Sequence, residues 1–136
     1  MRRSFAITTR LVAEKGLYEP TSTTGGSSKP VIVNVPAPGG TIAAQDNHWY
    51  YIDFNVVGAN VVFDTSGIVA DDSFYVKVID PLNVGTGGHT ATVNSIGAGS
   101  HIENINVPGT LAATYVLSQP GQEAEFTCND GVNLWT

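Results

Sequence analysis

From Val31 onward, apolar and polar residues alternate at period two in short runs separated by turn-forming residues. Tyr50, Ile52 and Phe54 oppose Trp49, Tyr51 and Asp53. Phe74, Val76 and Val78 oppose Tyr75, Lys77 and Ile79, and Ala124, Phe126 and Cys128 oppose Glu123, Glu125 and Thr127. Successive side chains of a strand point to opposite faces, so each run predicts a strand with one buried face. The runs are Val31–Val35, Thr41–Ala44, His48–Phe54, Asn60–Asp64, Ser73–Asp80, Thr90–Asn94, Ile102–Val107, Thr114–Leu117, Glu123–Cys128 and Val132–Trp135. Between them stand Pro36-Ala37-Pro38-Gly39-Gly40, Gly85-Thr86-Gly87-Gly88, Gly97-Ala98-Gly99, Pro108-Gly109 and Pro120-Gly121. Close spacing of strands and turns, with no helical period, predicts an all-β fold over 31–136. The expected form is an antiparallel β-sandwich, jelly-roll-like, with essentially no helix. Asn129-Asp130-Gly131 predicts a tight hairpin closing the chain, because Asp-Gly supports positive φ.

The expected core is Tyr50, Ile52, Phe54, Phe74, Val76 and Phe126. Two strands, His48–Phe54 and Ser73–Asp80, carry large apolar groups on their other face as well. A second cover is therefore expected there, and contact between subunits is the simplest one. Trp49, Tyr51 and Tyr75 on that face are candidates for subunit contact or for stacking on a glycan.

Residues 1–30 read differently. Phe5, Ile7, Thr9 and Leu11 fall on one face at period two, which predicts an extended arm over 1–19. A tether rich in Gly, Ser and Thr follows between Pro20 and Pro30. Residues 1–29 hold five of the six basic residues (Arg2, Arg3, Arg10, Lys15, Lys29) against Glu14 and Glu19, a net +3. The remainder carries Lys77 against ten carboxylates, a net −9. A basic arm on an acidic body suggests an anchor, with Arg2, Arg3, Phe5, Ile7, Arg10 and Leu11 as its contact residues. Arg10, Glu14 and Lys15 interrupt the apolar stretch that an export signal requires, and no run is long enough for a membrane span.

Candidate chemistry is sparse. His48, His89 and His101 have no metal-ligand spacing, and Cys128 is a lone cysteine read as a small buried hydrophobe. Asp71-Asp72 lacks the oxygen array of a calcium loop. Ser73 and His89 sit in no nucleophile elbow, and Gly85–Gly88 has no phosphate-loop lysine. An acidic body repels a phosphate backbone. These readings predict no enzymatic activity, no cofactor, no membrane and no nucleic-acid partner.

Four stretches carry a resemblance. They are Thr41-Ile42-Ala43-Ala44-Gln45-Asp46, Trp49–Phe54, Asp72–Val78, and Gly121–Gly131 with Trp135. Over roughly residues 40–136 the body resembles a β module of tailed-bacteriophage surface proteins: head fibres, capsid decoration proteins and tail fibres. The resemblance implies a homotrimer without catalytic function on the outer surface of the virion. The short body and the basic arm favour a capsid decoration (cement or head-fibre) protein bound to the major capsid protein. The alternative is a tail-fibre or receptor-binding module that recognises host surface glycans.

Overall fold

The computed structural model describes residues 29–104, 107 and 109–136. The arm residues Arg2, Arg3, Phe5, Ile7, Arg10 and Leu11 lie outside the described residues. The regular structure of the described chain is nearly all strand: β1 Val31–Asn34, β2 Gly40–Ala43, β3 His48–Asp53, β4 Val61–Asp64, β5 Ser73–Ile79, β6 Ala91–Asn94, β7 Ile102–Glu103, β8 Leu111–Ala112, β9 Thr114–Leu117, β10 Glu123–Thr127 and β11 Leu134–Trp135. One short helix, α1 Phe54–Val57, interrupts them. It ends β3 one residue before the expected limit. The Asp53 side chain accepts from the Asn55 N–H at 3.0 Å, and Gly58 caps the other end at φ 68°.

The strands form a seven-stranded sheet, β1-β3-β5-β10-β11-β7-β8, and a four-stranded sheet, β9-β6-β4-β2. Consecutive strands from β1 to β6 alternate between the two sheets. A strand that returns to its sheet after visiting the other one runs in its original direction. Hence β1, β3 and β5 are parallel, with Val31 beside His48 beside Phe74, and so are β2, β4 and β6, with Gly40 beside Val61 beside Ala91. The first six strands are thus three stacked coils of a flattened two-sheet winding. Strands β9 and β10 then add antiparallel, to β6 and β5 respectively. The sheets are therefore mixed rather than purely antiparallel. Turn residues mark where the chain reverses but not whether it reverses within a sheet or arches across to the other.

The glycine between β1 and β2 shows why the arch needs this sequence. Gly39 has φ +82°, and a Cβ there would lie 2.7 Å from Val57 Cγ1 and 3.2 Å from the Asn60 carbonyl oxygen. Only a residue without a side chain lets the first arch seat against the α1–β4 connection.

All six expected core residues are buried, together with Val61, Phe63, Val93, Leu117, Leu134 and Cys128. Aromatic rings link the sheets. Phe63 on β4 meets Tyr50 on β3 edge-on at 5.0 Å, and Tyr50 meets Phe74 at 6.4 Å. Phe74 stacks on Phe126 at 5.1 Å, and Phe126 meets Tyr115 on β9 edge-on at 5.4 Å. The series starts and ends in the small sheet and crosses the large one. The Tyr50 hydroxyl accepts from the Gln45 N–H at 3.0 Å and donates to the Ala43 carbonyl at 3.4 Å, which pins the link between β2 and β3.

The expected hairpin at Asn129-Asp130-Gly131 exists as a reversal but not as a two-residue turn. Thr127 pairs with Trp135, so the loop is wider and the last strand is only Leu134–Trp135. Asp130 Oδ1 accepts from the Val132 N–H at 2.9 Å and the Asn133 N–H at 2.8 Å. Those amides are withdrawn from the ladder by a side chain. They also hold the Asp130 carboxyl below its ordinary value, as Ser66 does for Asp64.

Phe126→Ala is expected to cost about 3–5 kcal/mol in urea or thermal unfolding, because it empties the centre of the ring series. A loss under about 1 kcal/mol is the result that contradicts this core. The depressed carboxyls of Asp64 and Asp130 contribute stability above the ordinary aspartate range and lose it as pH falls through their folded values. Unfolding midpoints measured down through pH 4 to 2, roughly the span of these groups, should decline, and Asp130→Ala should decline less steeply.

Candidate functional site

The most distinctive surface is the outer face of the seven-stranded sheet. Inward positions of β3, β5 and β10 are filled by the core, so alternation sends Trp49, Tyr51, Tyr75, Lys77, Glu123 and Glu125 outward. Register aligns them in rows. Ile32, Trp49, Tyr75 and Glu125 form one row, and Asn34, Tyr51, Lys77 and Glu123 form the next. Trp49 and Tyr75 lie 5.2 Å apart between ring centroids, and Tyr51 and Tyr75 lie 6.2 Å apart. The three aromatics singled out from sequence thus form one cluster, with Trp49 still 41% exposed.

Polar groups frame the cluster. The Tyr75 hydroxyl donates to Glu123 Oε1, and Lys77 Nζ lies 3.8 Å from the same oxygen. These contacts hold Tyr75 across the β5–β10 pair. Beyond Glu125, β11 brings Trp135 beside Thr127. Glu125, Thr127, Trp135 and Thr136 line an open cleft of about 320 Å³. Sequence reading missed Trp135 as part of this face. It comes to the same face only because β11 inserts between β10 and β7, with Leu134 turned into the core. The Trp135 indole N–H is buried with no acceptor among the described residues.

The remaining candidates do not assemble. Among the described residues no group of three or more His, Cys, Asp or Glu is placed to hold a metal ion. His48 Nδ1 lies 2.8 Å from the Asp46 carbonyl oxygen, and His89 packs on Phe54 at 5.9 Å. Cys128 is buried, and burial pushes its thiol up. Asp72 accepts from the Val69 N–H at 2.9 Å, and Asp80 from the N–H groups of Val84 and Gly85 at 3.0 and 2.8 Å. The Gly85–Gly88 run is thus organised by Asp80 as a turn. No helix among the described residues is long and apolar enough to cross a membrane.

Nine of the ten carboxylates in the described residues, all but Asp71, fall into two groups. Asp53, Asp64, Asp72, Asp80 and Asp130 each accept a backbone N–H in their own turn or cap, Glu103 accepts from Gly109 N–H in the loop after β7, and Asp46 accepts from Ser73 N–H at the start of β5. Glu123 and Glu125 do not, and both face the aromatic cluster.

Comparison of the chain with protein-family models, curated proteins and solved structures finds no match. The class defined by fold and surface is therefore an all-β protein with two mixed sheets and an aromatic, acidic outer face.

Trp135→Phe keeps an aromatic ring, smaller than the indole, and removes the orphaned donor. Its urea midpoint is expected to equal or exceed that of the unaltered protein, since an unsatisfied buried N–H costs about 1–3 kcal/mol. A clear loss of stability would show that the indole nitrogen has an acceptor in solution.

Proposed function

We propose that this chain is a non-enzymatic structural protein of a tailed-bacteriophage virion, a trimeric decoration protein on the outer surface of the capsid. It is anchored to the major capsid protein through the arm at residues 1–30. The observation that carries this reading is the use of its carboxylates. Seven of the ten in the described residues accept backbone N–H groups of turns, caps, loops or a strand end of a rigid β body rather than meeting in a cleft. Chemistry spent on turn geometry suits a scaffold.

Among the described residues the body also begins at an open edge. Strand β1 pairs with β3 on one side, and Val31 and Ile32 are 50% and 53% exposed. An exposed apolar edge invites pairing with another chain. It lies directly after the segment that holds five of the six basic residues. In this reading the edge and the basic segment together contact neighbouring copies and the shell, and three such contacts per trimer give avidity. The jelly-roll expectation belongs here too: the two packed sheets are compatible with the sandwich bodies of such proteins, although the first six strands are wound in parallel coils.

A second reading has its own support. The convergence of Trp49, Tyr51 and Tyr75 favours a fibre or receptor-binding module that holds host surface glycans.

Removing residues 1–29 is expected to leave a folded body, with its far-ultraviolet spectrum unchanged, that no longer decorates capsids. Sedimentation equilibrium of the full chain is expected to give a trimer. Full capsid occupancy by the truncated protein, or a monomer at micromolar concentration, contradicts the proposal. Raising salt should weaken attachment only partly, because exposed ion pairs contribute about 0–1 kcal/mol each and are screened over about 10 Å at 0.1 M.

A further inference from the structure

We infer that the outer face of the seven-stranded sheet, from Trp49 to the Trp135 cleft, is a binding site for a neutral, hydroxyl-rich glycan. The inference deepens the second reading above and rests on it, adding the cleft, its polar partners and the chemical class of the ligand.

Both tryptophans of the chain lie on this face. Trp49 is on β3 and Trp135 on β11, with β5 and β10 between them. Three strand spacings across and two residues along the strand place them about 16 Å apart. That span suits a short oligosaccharide lying across the strands. A pyranose ring presents a flat C–H surface to an aromatic ring and directs its hydroxyls outward at the rim. Here the rim holds acceptors: Glu125 stands between Tyr75 and the cleft, and Thr127 and Thr136 line the cleft beside Trp135. A cleft of about 320 Å³ is at the low end of small-molecule sites, suited to one sugar unit with the chain continuing over the open sheet.

Charge selects the class. Glu123 and Glu125 face the site, with Asp53 and Glu103 on the same side of the sheet. Lys77 is the cation among them and lies against Glu123. Sialylated, sulfated, phosphorylated or uronic-acid sugars meet net negative charge there, as nucleic acid does. A second copy of the chain is also disfavoured. Seating this face on the same acidic face of another copy would desolvate Glu125 opposite further carboxylates, with Lys77, already held by Glu123, as the cation of that face among the described residues. Neutral hydroxyls, which donate to carboxylates and are not repelled by them, are the complementary chemistry.

The test uses the full chain on a printed array that holds neutral oligosaccharides beside their sialylated, sulfated and uronic-acid counterparts. Titration of the best neutral hit then follows by intrinsic tryptophan fluorescence, which reports only on this face. Expected are binding to neutral members, little change between low and high salt, and a loss of about tenfold or more for Trp49→Ala. Trp135→Ala should lose as much, with Trp135→Phe restoring most of it, and Glu125→Lys should admit a uronic-acid oligosaccharide that the unaltered chain rejects. Thr92→Ala on the four-stranded sheet serves as the control and should bind normally. If no glycan on the array binds, the glycan reading itself fails. If glycans bind but Trp49→Ala and Trp135→Ala bind equally well, or only acidic glycans bind, this site is wrong while the reading stands. If Trp49→Ala dissociates the oligomer and glycan binding is absent, the face is a contact between copies and the inference is overturned.

Discussion

The fold depends on one series of ring contacts. Phe63, Tyr50, Phe74, Phe126 and Tyr115 pass from the small sheet through the large one and back, each ring within 6.4 Å of the next. Rings of this size bury large apolar areas and favour the edge-on and offset geometries seen here. They tie β3, β4, β5, β9 and β10, which are far apart in sequence, into one layer of core. The acidic charge of the body and its many turns supply little cohesion, so packing between the sheets has to supply it.

That layer also explains the outer face. Because Tyr50, Phe74 and Phe126 must point inward, their neighbours Trp49, Tyr51, Tyr75 and Glu125 have to point outward. Parallel pairing of β3 with β5 puts Trp49 directly beside Tyr75 rather than one residue out of step. A shift of one residue would exchange the faces of a whole strand, so the core contacts and the surface cluster are set together.

The two ends of the winding differ in consequence. The third coil is closed by β9 and β10, which pair antiparallel with β6 and β5. The first coil has no such cover among the described residues, and β1 leaves Val31 and Ile32 exposed next to the basic segment. The open edge of the first coil and the aromatic outer face are thus separate parts of the same body. Carboxylates are divided accordingly between backbone N–H groups and the aromatic face.

Much of this was legible in the sequence. Period-two alternation located ten of the eleven described strands, missing the two-residue β8 at Leu111–Ala112, identified Tyr50, Ile52, Phe54, Phe74, Val76 and Phe126 as core, and marked Cys128 as buried. It also separated Trp49, Tyr51 and Tyr75 from that core. Alternation is a local property, carried by residues two apart, and survives whatever the strand pairs with. Strand ends were less legible: Asp53 caps a helix turn where β3 was expected to continue, and Asp130 holds amides where a last strand was expected to begin earlier. Pairing was not legible at all. Glycine, proline and asparagine serve a hairpin within one sheet and an arch between two sheets equally well, so the parallel coils, and the arrival of Trp135 beside Glu125, were decided by which closure buries the rings of all five strands at once.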